Sequence, residues 1–433
     1  MDPALLMIVT LVGMTVAILI GVQVGLALGM AGLLGTYFLF GDLDKAFGAL
    51  GSAAYNVLRN ELFASIPLFI LMGDFVARSG AARDLYRLVN RGLARIPGRL
   101  AVATVIGNAV FAAVTGVSLA AASAFSRIAY PQMRDHGYRR TFAIGSVAGS
   151  ACLGMLIPPS VLLIIWGIVT ETSIGKLFIA GVIPGIILTG LFALYVIVAA
   201  KLNPSLAPPV PAEPDQVFNS KEAVSGIGIL GLMTLVLGGI WTGFFTPAEA
   251  SGIGALGAMG FGIVKGMRWP DIAEAAIDAG RSSAPIMFLI LAAAIFSRFL
   301  ALGGVTDTLT DALTSLGTSP SLVILTMVLI WLALGMILDS SSIILLTVPI
   351  FAPVAVSFGF DPIAFAIFGI LAIEAGLLTP PVGLLVYAVK GAVPDDSVTL
   401  GEIFSGATPY WLLILVAMGL VWMFPALATW LPS

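Results

Sequence analysis

Two Pro-Pro pairs inside apolar segments restrict the fold of this chain more than any other feature. Residues 154–160 read GMLIPPS and residues 376–382 read GLLTPPV, with the two pairs 222 residues apart. Proline has no backbone N–H to donate and clashes with the helical turn before it, so each pair must interrupt a helix. The same offset carries Pro131 onto Pro353. The spacing therefore predicts two corresponding halves, each with a broken helix.

A short polar run recurs at a similar spacing inside two other apolar stretches. Residues Thr115 to Ser118 read TGVS, and at an offset of 224 they fall on Asp339 to Ser342, which read DSSS. Hydroxyl and carboxyl groups are costly inside an apolar segment unless they find polar partners. In membrane proteins, helix-breaking residues at corresponding positions of two repeats are typical of a transport site. The two patterns together indicate a duplicated secondary transporter.

The composition agrees with a polytopic membrane protein. Hydrophobic residues make up 59% of the 433 residues and charged residues 10%, whereas soluble chains carry about 25% charged residues. The net charge of −3 offers no basic surface for nucleic acid. A single cysteine, Cys152, excludes an internal disulfide, and a single histidine, His136, excludes a His-rich metal site. The N-terminal segment lacks the basic region of a cleaved signal peptide, so we expect the first span to be retained.

A crossing helix needs about 20 mostly apolar residues, and this rule predicts five crossings in each half. We expect a first repeat over 1–200 and a second over 223–433, joined by a solvated linker over 201–222 that holds five prolines. The expected crossings are near 4–24, 25–40, 62–80, 141–170, 177–200, 223–242, 247–265, 284–302, 360–389 and 409–430. Those over 141–170 and 360–389 contain the Pro-Pro pairs and are expected to be broken. The predicted fold class is an all-α polytopic membrane protein.

The polar runs interrupt the apolar stretches 100–134 and 320–358 midway, and each half-stretch is short for a crossing. We therefore predict two re-entrant hairpins whose tips stop inside the membrane. Non-helical backbone at that depth needs surrounding protein or a water-filled cavity. Residues 42–61 and 267–282 have mixed charge at helical spacing, and we expect them to lie as amphipathic helices along opposite membrane faces.

Charged residues predict the orientation. The first hairpin is flanked by arginines, whereas the second is flanked by aspartates, with no Lys or Arg between Arg298 and Lys390. The positive-inside rule then opens the first hairpin to the cytoplasm and the second to the outside. Because five crossings per half is an odd number, we expect two inverted repeats, a cytoplasmic linker and both termini facing outward.

The hairpin tips offer chemistry for ions. Two half-helices that meet at a tip leave unpaired backbone groups and direct their dipole ends at one point. Hydroxyl and carbonyl oxygens there suit Na⁺, a hard cation, while helix N-termini suit a carboxylate. Helices unwound at the Pro-Pro pairs add free carbonyls from about 150–158 and 376–380. The structural alternative is that Ser and Thr only pack helices together, but their duplication at two tips favours a site.

Charged residues inside the apolar segments have more than one interpretation. Glu374 lies five residues before Thr379, and an intramembrane carboxylate indicates a functional role. It could carry a proton, accept hydrogen bonds from nearby backbone, or support neighbouring ligands. Arg127 and Arg298 either extend to the membrane surface or pair with a substrate carboxylate. The position of Asp339 at a tip favours a functional role.

Seven segments resemble those of the large membrane subunit of tripartite ATP-independent periplasmic (TRAP) transporters, the DctM-type family. They are IPLFILMG (66–73), VTGVSLAAASA (114–124), PQMRDHGY (131–138), GSACLGMLIPPS (149–160), SIGKLFIAGVIPG (173–185), GFFTPAEA (243–250) and IEAGLLTPPVGL (373–384). They occur in the family's order across nearly the whole chain. The first tip reads TGVS where many members have Gly-Ser-Ser, and Ala372 and Leu385 stand where members often have Asn.

The resemblance implies an elevator-type carrier of the bacterial inner membrane, in which the hairpins and broken helices form a mobile domain. The scaffold would then comprise the helices of 1–80, 177–200, 223–302 and 409–430. The resemblance also implies Na⁺ coupling without a resident cofactor, and a small four-helix membrane subunit as a separate chain. A soluble periplasmic binding protein would deliver an organic acid, and no enzymatic activity is expected.

The candidate site residues follow from the tips, the broken helices and the resemblance. The expected ion-binding residues are Thr115, Val117, Ser118, Ser150, Gly154 and Pro158 in the first half and Asp339, Ser340, Ser341, Gly376, Thr379 and Pro380 in the second. The expected substrate-binding residues are Gly116, Ser118, Pro159, Ser342, Pro381 and Glu374.

Two alternatives to Na⁺-coupled transport stay open. One is proton coupling through Glu374 and Asp339, and the other is a Na⁺-permeable channel with a continuous polar pore. An intramembrane hydrolase would need a nucleophile and a base at one depth, an arrangement that the sequence disfavours. The sequence does not distinguish among carboxylate substrates.

Overall fold

The computed structural model describes residues 3–209 and 220–432, and every regular element in these two ranges is a helix. Residues 210–219, the greater part of the predicted linker, lie outside the described residues. The helices before the linker are α1 (Pro3–Leu19), α2 (Val24–Phe40), α3 (Leu43–Arg59), α4 (Leu62–Arg78), α5 (Ala81–Gly92), α6 (Arg99–Thr115), α7 (Ser118–Asp135), α8 (Arg140–Ala151), α9 (Leu153–Leu156), α10 (Val161–Thr170) and α11 (Ile174–Leu202).

The second half has a corresponding order of helices. They are α12 (Ser220–Met233), which continues through a π-helical turn (Thr234–Gly238) into α13 (Gly239–Trp241), then α14 (Pro247–Val264), α15 (Trp269–Leu302), α16 (Val305–Ser315), α17 (Pro320–Gly335), α18 (Ser340–Ser357), α19 (Pro362–Gly376), α20 (Leu384–Ala392), α21 (Leu400–Met423) and α22 (Ala426–Thr429). A short helix, a helical hairpin, a broken helix and a long helix therefore follow one another in both halves.

Within the described residues, six helical segments are long and apolar enough to cross a membrane. They are Arg140–Thr170, Ile174–Leu202, Glu222–Trp241, Trp269–Leu302, Ser340–Ser357 and Leu400–Met423. The bent pair α3 and α4 raises the number to seven if it is one span. The ten predicted crossings are thus only partly supported, since α1, α2 and α4 have 17 residues each. The second leg of the second hairpin, α18, is longer than predicted and could itself cross.

The two helices of each predicted hairpin fold back on one another. In the first hairpin, the rings of Phe111 and Phe125 lie 5.9 Å apart across α6 and α7. In the second hairpin, the indole N–H of Trp331 donates to the Thr347 hydroxyl at 2.8 Å across α17 and α18. The partners in each pair lie at similar distances from the tip, as antiparallel legs require.

Both predicted broken helices also form. We call residues 157–160, between α9 and α10, the first break, and residues 377–383, between α19 and α20, the second break. Each break contains its Pro-Pro pair, and both Pro-Pro peptide bonds are cis. Ser160 restarts the first helix as an N-cap, since its hydroxyl accepts from the Leu163 N–H at 3.4 Å.

The short helices α5 and α16 were not predicted. Each follows a glycine in the left-handed region, Gly80 with φ 76° and Gly304 with φ 63°, a conformation that glycine adopts without a steric cost. The prediction of a separate amphipathic helix over 267–282 is wrong, because α15 runs without a break from Trp269 to Leu302. The corresponding segment of the first half consists of two helices, α3 and α4. They are divided at Asn60, where the backbone is extended, and they meet at a bend of 49°.

Glycines bring the long helices α11 and α21 against the broken helices. A Cβ atom on Gly181 of α11 would lie 2.6 Å from the Leu156 carbonyl oxygen, just before the first break. A Cβ atom on Gly145 of α8 would lie 2.2 Å from the carbonyl oxygen of Gly406 in α21. The helices α2, α4, α14 and α15 instead pack on one another. The prediction that 177–200 and 409–430 belong with the scaffold therefore does not match the packing.

Candidate functional site

The first hairpin tip, residues 115–118, docks on the first break. Gly116 ends α6 in the left-handed region with φ 62°, and its carbonyl oxygen accepts from the Val161 N–H at 3.3 Å. A Cβ atom on Gly116 would lie only 2.5 Å from the Pro159 carbonyl oxygen. Both the dihedral angle and the contact therefore require glycine at this position.

The second hairpin tip, residues 336–342, docks on the second break in the same way. The Met336 carbonyl oxygen accepts from the Gly383 N–H at 3.3 Å. Gly383 lies 222 residues after Val161, the donor at the first tip. A backbone N–H at the end of each break, that of Val161 just after the first and that of Gly383 at the last residue of the second, thus donates to a carbonyl at the tip of its own hairpin.

A matched pair of glycines permits these close approaches. A Cβ atom on Gly154 would lie 2.8 Å from the Ser118 backbone nitrogen, and one on Gly376 would lie 2.9 Å from the Gly335 Cα. Gly154 and Gly376 were both predicted as site residues and are 222 residues apart. Their contribution is the absence of a side chain, which allows the hairpin backbone to reach the helix.

The two tips meet at one buried carboxylate. The Ser118 hydroxyl donates to Oε2 of Glu374 at 2.8 Å, and the Ser340 hydroxyl donates to Oε1 of the same residue at 3.1 Å. Glu374, in α19, is 2% exposed. None of the ion pairs formed among residues 3–209 and 220–432 includes this carboxylate. The structure thus joins three predicted site residues from both halves around a single acidic group.

This geometry corrects the predicted alignment of the tips. Ser118 is the first residue of α7, and Ser340 is the first residue of α18. They correspond at the offset of 222 shared with the Pro-Pro pairs, whereas the sequence comparison at 224 had paired Ser118 with Ser342. The second turn is two residues longer than the first, so the helices before the tips end 220 residues apart and the helices after them begin 222 residues apart.

Asp339 serves as the N-cap of its own helix. Its carboxylate accepts from the Ser342 backbone N–H at 3.1 Å and also from the Ser342 hydroxyl. An aspartate in this position satisfies the free N–H groups of the first helical turn. Its side chain is exposed, so the structure gives Asp339 a capping role and does not bring it to Glu374.

Three other predicted hydroxyl groups donate to the backbone carbonyl four residues earlier. Thr115 donates to the Phe111 carbonyl at 3.1 Å, Ser150 to that of Ser146 at 2.5 Å, and Thr379 to that of Ala375 at 2.9 Å. The Ser150 oxygen also accepts from the Asn108 amide at 2.7 Å and the Thr379 oxygen from the Trp411 indole N–H at 3.0 Å, which leaves each of them one lone pair for a cation. The remaining predicted residues lie at the tips or breaks: Val117, Ser341, Pro158, Pro159, Pro380 and Pro381.

Arg127 and Arg298 are both exposed. Neither takes part in an ion pair within the described ranges. This placement favours extension away from the protein interior over pairing with a substrate at the tips.

Two residues near the site were missed by the sequence reasoning. The buried amide of Asn108 donates to the Ser150 hydroxyl at 2.7 Å, and a polar residue in the apolar helix α6 could have indicated it. Gly73 of α4 touches the first tip, since its Cβ would lie 2.8 Å from the Thr115 Cα. That contact follows from tertiary packing, which no local pattern reports.

The chain matches the family model described as "Tripartite ATP-independent periplasmic transporter, DctM component" over residues 11–427. It is 32% identical over 409 residues to the C4-dicarboxylate TRAP transporter large permease protein DctM of Pseudomonas aeruginosa, covering 94% of each chain. It is 28% identical to the ectoine TRAP transporter large permease protein TeaC of Halomonas elongata, covering 98% of each. It is 29% identical to the sialic acid TRAP transporter large permease protein SiaM of Vibrio cholerae, covering 86% of this chain and 87% of that protein.

A solved structure has the same overall fold. The YdaH transporter of Alcanivorax borkumensis superposes with a TM-score of 0.57 over 90% of this chain and 88% of the other, at 17% sequence identity. A likeness at this low identity concerns the arrangement of helices alone.

Proposed function

We propose that this chain, which belongs to the DctM component family of tripartite ATP-independent periplasmic transporters, carries an organic acid across the bacterial inner membrane together with Na⁺. The observation that carries the proposal is the meeting of both hairpin tips at Glu374. Two tips, two unwound breaks and a buried acidic group converge on one place, which is the arrangement expected of a carrier site built between repeats.

Contacts at the open ends of the hairpins support inverted repeats. At the open end of the first hairpin, the Tyr130 hydroxyl donates at 2.8 Å to the carboxylate of Asp395. Asp395 lies after the second broken helix. At the open end of the second hairpin, a cavity of about 510 Å³ separates Ser357 from Thr172, which follows the first broken helix. Each broken helix therefore ends beside the open end of the other half's hairpin, as it would if the hairpins entered the membrane from opposite sides.

The packing supports an elevator mechanism with a revised division of the helices. We assign α6–α11 and α17–α22 to the mobile domain and α1–α4 and α12–α15 to the scaffold. The helix α5 is fixed to the scaffold, since Lys265 at the end of α14 pairs with Asp84 and Arg91 pairs with Glu222 at 2.7 Å. These ion pairs are largely buried, and breaking a buried ion pair by removing one partner is strongly destabilising.

The chemistry of the tips favours Na⁺ as the coupling ion. Carbonyl and hydroxyl oxygens are the ligands of a hard cation, and helix interruptions present both. Ser118 and Ser340 donate their protons to Glu374, so that their lone pairs are free to coordinate. The Glu374 carboxylate would also attract a cation. Among the ion pairs of the described residues, none joins a basic side chain to this carboxylate.

The relatives favour an organic acid as substrate. C4-dicarboxylates, ectoine and sialic acid, the compounds named for three of them, all contain a carboxylate group. We propose that a periplasmic binding protein delivers such an acid and that a small four-helix membrane subunit accompanies this chain. In this proposal the linker is cytoplasmic and both termini are periplasmic.

The proposal is tested by thermal unfolding of the purified protein in NaCl, KCl and choline chloride. A ligand bound only by the folded state at 100 times its Kd adds about 2.7 kcal/mol, so a Na⁺-specific rise in the unfolding midpoint is expected. Equal midpoints in the three salts, with a midpoint that instead follows pH and loses that dependence in Glu374→Gln, would favour proton coupling.

A further inference from the structure

We propose that Glu374 is a positioning residue that holds the two hairpin tips in register, so that Na⁺ binding at one tip depends on the other. The inference rests on the proposed Na⁺-coupled transport and adds a coupling between the two halves of the site. It concerns the orientation of two hydroxyl groups by one carboxylate.

The geometry gives each carboxylate oxygen its own hairpin. Oε2 accepts from Ser118 at 2.8 Å and Oε1 from Ser340 at 3.1 Å. Both serines begin the second leg of their hairpin, so a displacement of either tip moves its hydroxyl directly. Both bonds are shielded from water, since Glu374 is 2% exposed.

The same bonds orient the serine oxygens. A hydroxyl has one proton and two lone pairs, and here both protons are directed at Glu374. The lone pairs of each serine then point away from the carboxylate, where a cation at the tip would be bound. A carboxylate is required because it accepts at both oxygens, whereas an amide accepts at only one.

The first half has no carboxylate of its own for this purpose. The residue 222 positions before Glu374 is Cys152, whose thiol donates to the Gly149 carbonyl at 2.8 Å within the first broken helix. The Ser118 hydroxyl therefore crosses to the second half for its acceptor. This asymmetry makes the two tips dependent on one another, where a fully symmetric pair would act independently.

The test measures the half-effect concentration, which is the Na⁺ concentration that produces half of the rise in the unfolding midpoint. Ionic strength is held constant with KCl. This concentration is compared among single and double variants in double-mutant cycles. Ser118→Ala and Ser340→Ala are each expected to raise this concentration about tenfold, the ratio for one charge-assisted hydrogen bond. The double variant is expected to raise it about tenfold as well, because loss of either bond already disturbs the register. In a Glu374→Gln background, each serine variant is expected to raise it less than in the unmodified protein, because the orientation by the carboxylate is already lost and only the serine oxygen is removed.

Ser146→Ala is the matched control, since Ser146 is a buried serine that donates to the Ala143 carbonyl of its own helix at 2.8 Å. It should leave the half-effect concentration unchanged. If an alanine variant does not fold, Ser118→Cys or Ser340→Cys supplies a weaker donor of similar size.

The outcomes separate this inference from the proposed function. A Na⁺-specific rise together with a hundredfold effect in the double variant, or with undiminished serine effects in the Glu374→Gln background, would overturn the positioning role and leave Na⁺ coupling intact. The absence of any Na⁺-specific rise in the unmodified protein would contradict the proposed coupling itself.

Discussion

The first hairpin tip is enclosed and the second is partly exposed, although both dock on a Pro-Pro break through the same kind of backbone hydrogen bond. Ser118 in the first tip is 2% exposed, whereas Ile337 in the second is 55% exposed. The first Pro-Pro pair is buried and the second is exposed. One backbone motif therefore occurs in two different surroundings, and the second tip has fewer neighbours that would oppose its opening.

The neighbours of the two tips explain the difference. The first tip lies between Gly73 of α4, whose Cβ would be 2.8 Å from the Thr115 Cα, and the first break, on which Gly181 of α11 packs. Beside the second tip is an apolar cavity of about 440 Å³ that Ile337 and Leu338 line together with residues of α1. We infer that packing fixes the first tip more firmly than the second.

The largest expected effect is that of Gly116→Ala in the first tip. A Cβ atom would meet the Pro159 carbonyl at 2.5 Å, and φ is 62°, so strain and a backbone shift should together cost about 3 kcal/mol of stability. The matched control is Gly317→Ala before the second hairpin, where φ is 64° but no atom lies within 4 Å. It should cost about 1 kcal/mol. Equal unfolding midpoints for the two variants would show that the first tip is not confined.

The next effect concerns Gly154 and Gly376, where the comparison predicts similarity. Gly154→Ala and Gly376→Ala should each destabilise by about 2 kcal/mol through overpacking, since each Cβ would lie within 2.9 Å of hairpin backbone. Substrate uptake should fall in both variants. Gly391→Ala in α20, with no atom within 4 Å, is the control and should be close to neutral. A loss confined to one variant would show that only one hairpin docks as described.

A smaller effect distinguishes a helix cap from an ion ligand at the second tip. Asp339→Asn should change stability by less than about 0.5 kcal/mol and Asp339→Ala should cost about 1 kcal/mol, because asparagine caps a helix nearly as well as aspartate. The Na⁺ concentration for half stabilisation should be the same in Asp339→Asn as in the unmodified protein. A marked increase in that concentration would return Asp339 to the ion site.

The smallest effect is at the open end of the first hairpin, where Tyr130 bonds to Asp395, whereas a cavity separates the open end of the second hairpin from the first broken helix. Hydrogen bonds from Ser397 and Tyr130 lower the pKa of Asp395 to about 2, compared with about 3.9 in an unfolded chain. A depressed pKa stabilises the folded state above pH 4, and this contribution is lost as the pH falls towards 2. Tyr130→Phe should therefore lower the unfolding midpoint slightly at pH 7 and not at pH 2. A difference that persists at pH 2 would assign the effect to packing.

The breaks and hairpins could be predicted from sequence because their causes are local. Proline in an apolar helix must interrupt it, and a polar run must find partners wherever it lies. The matched spacing of Pro158 and Pro380 then related the two halves. The capping role of Asp339 could also have been predicted, since an aspartate before three serines at a helix start is a common N-cap pattern.

The remaining features depend on tertiary structure. The correspondence of Ser118 with Ser340, and not with Ser342, depends on where α7 and α18 begin after two turns of unequal length. The placement of α11 and α21 depends on close approaches at Gly181 and Gly406, and glycines are frequent throughout this chain. The bonds from both tips to Glu374 join residues 256 and 34 positions apart, a distance over which no sequence periodicity operates.

The central claim is that the two tips share one site, and cross-linking tests it most directly. Ser118→Cys and Ser340→Cys would be combined in a Cys152→Ala background, with a protease site inserted in the linker at 210–219. After treatment with Hg²⁺ and cleavage, the account predicts that the two halves stay joined on a denaturing gel. The control pair Ser146→Cys and Ser340→Cys should separate. Separation of the halves in both pairs would contradict the account.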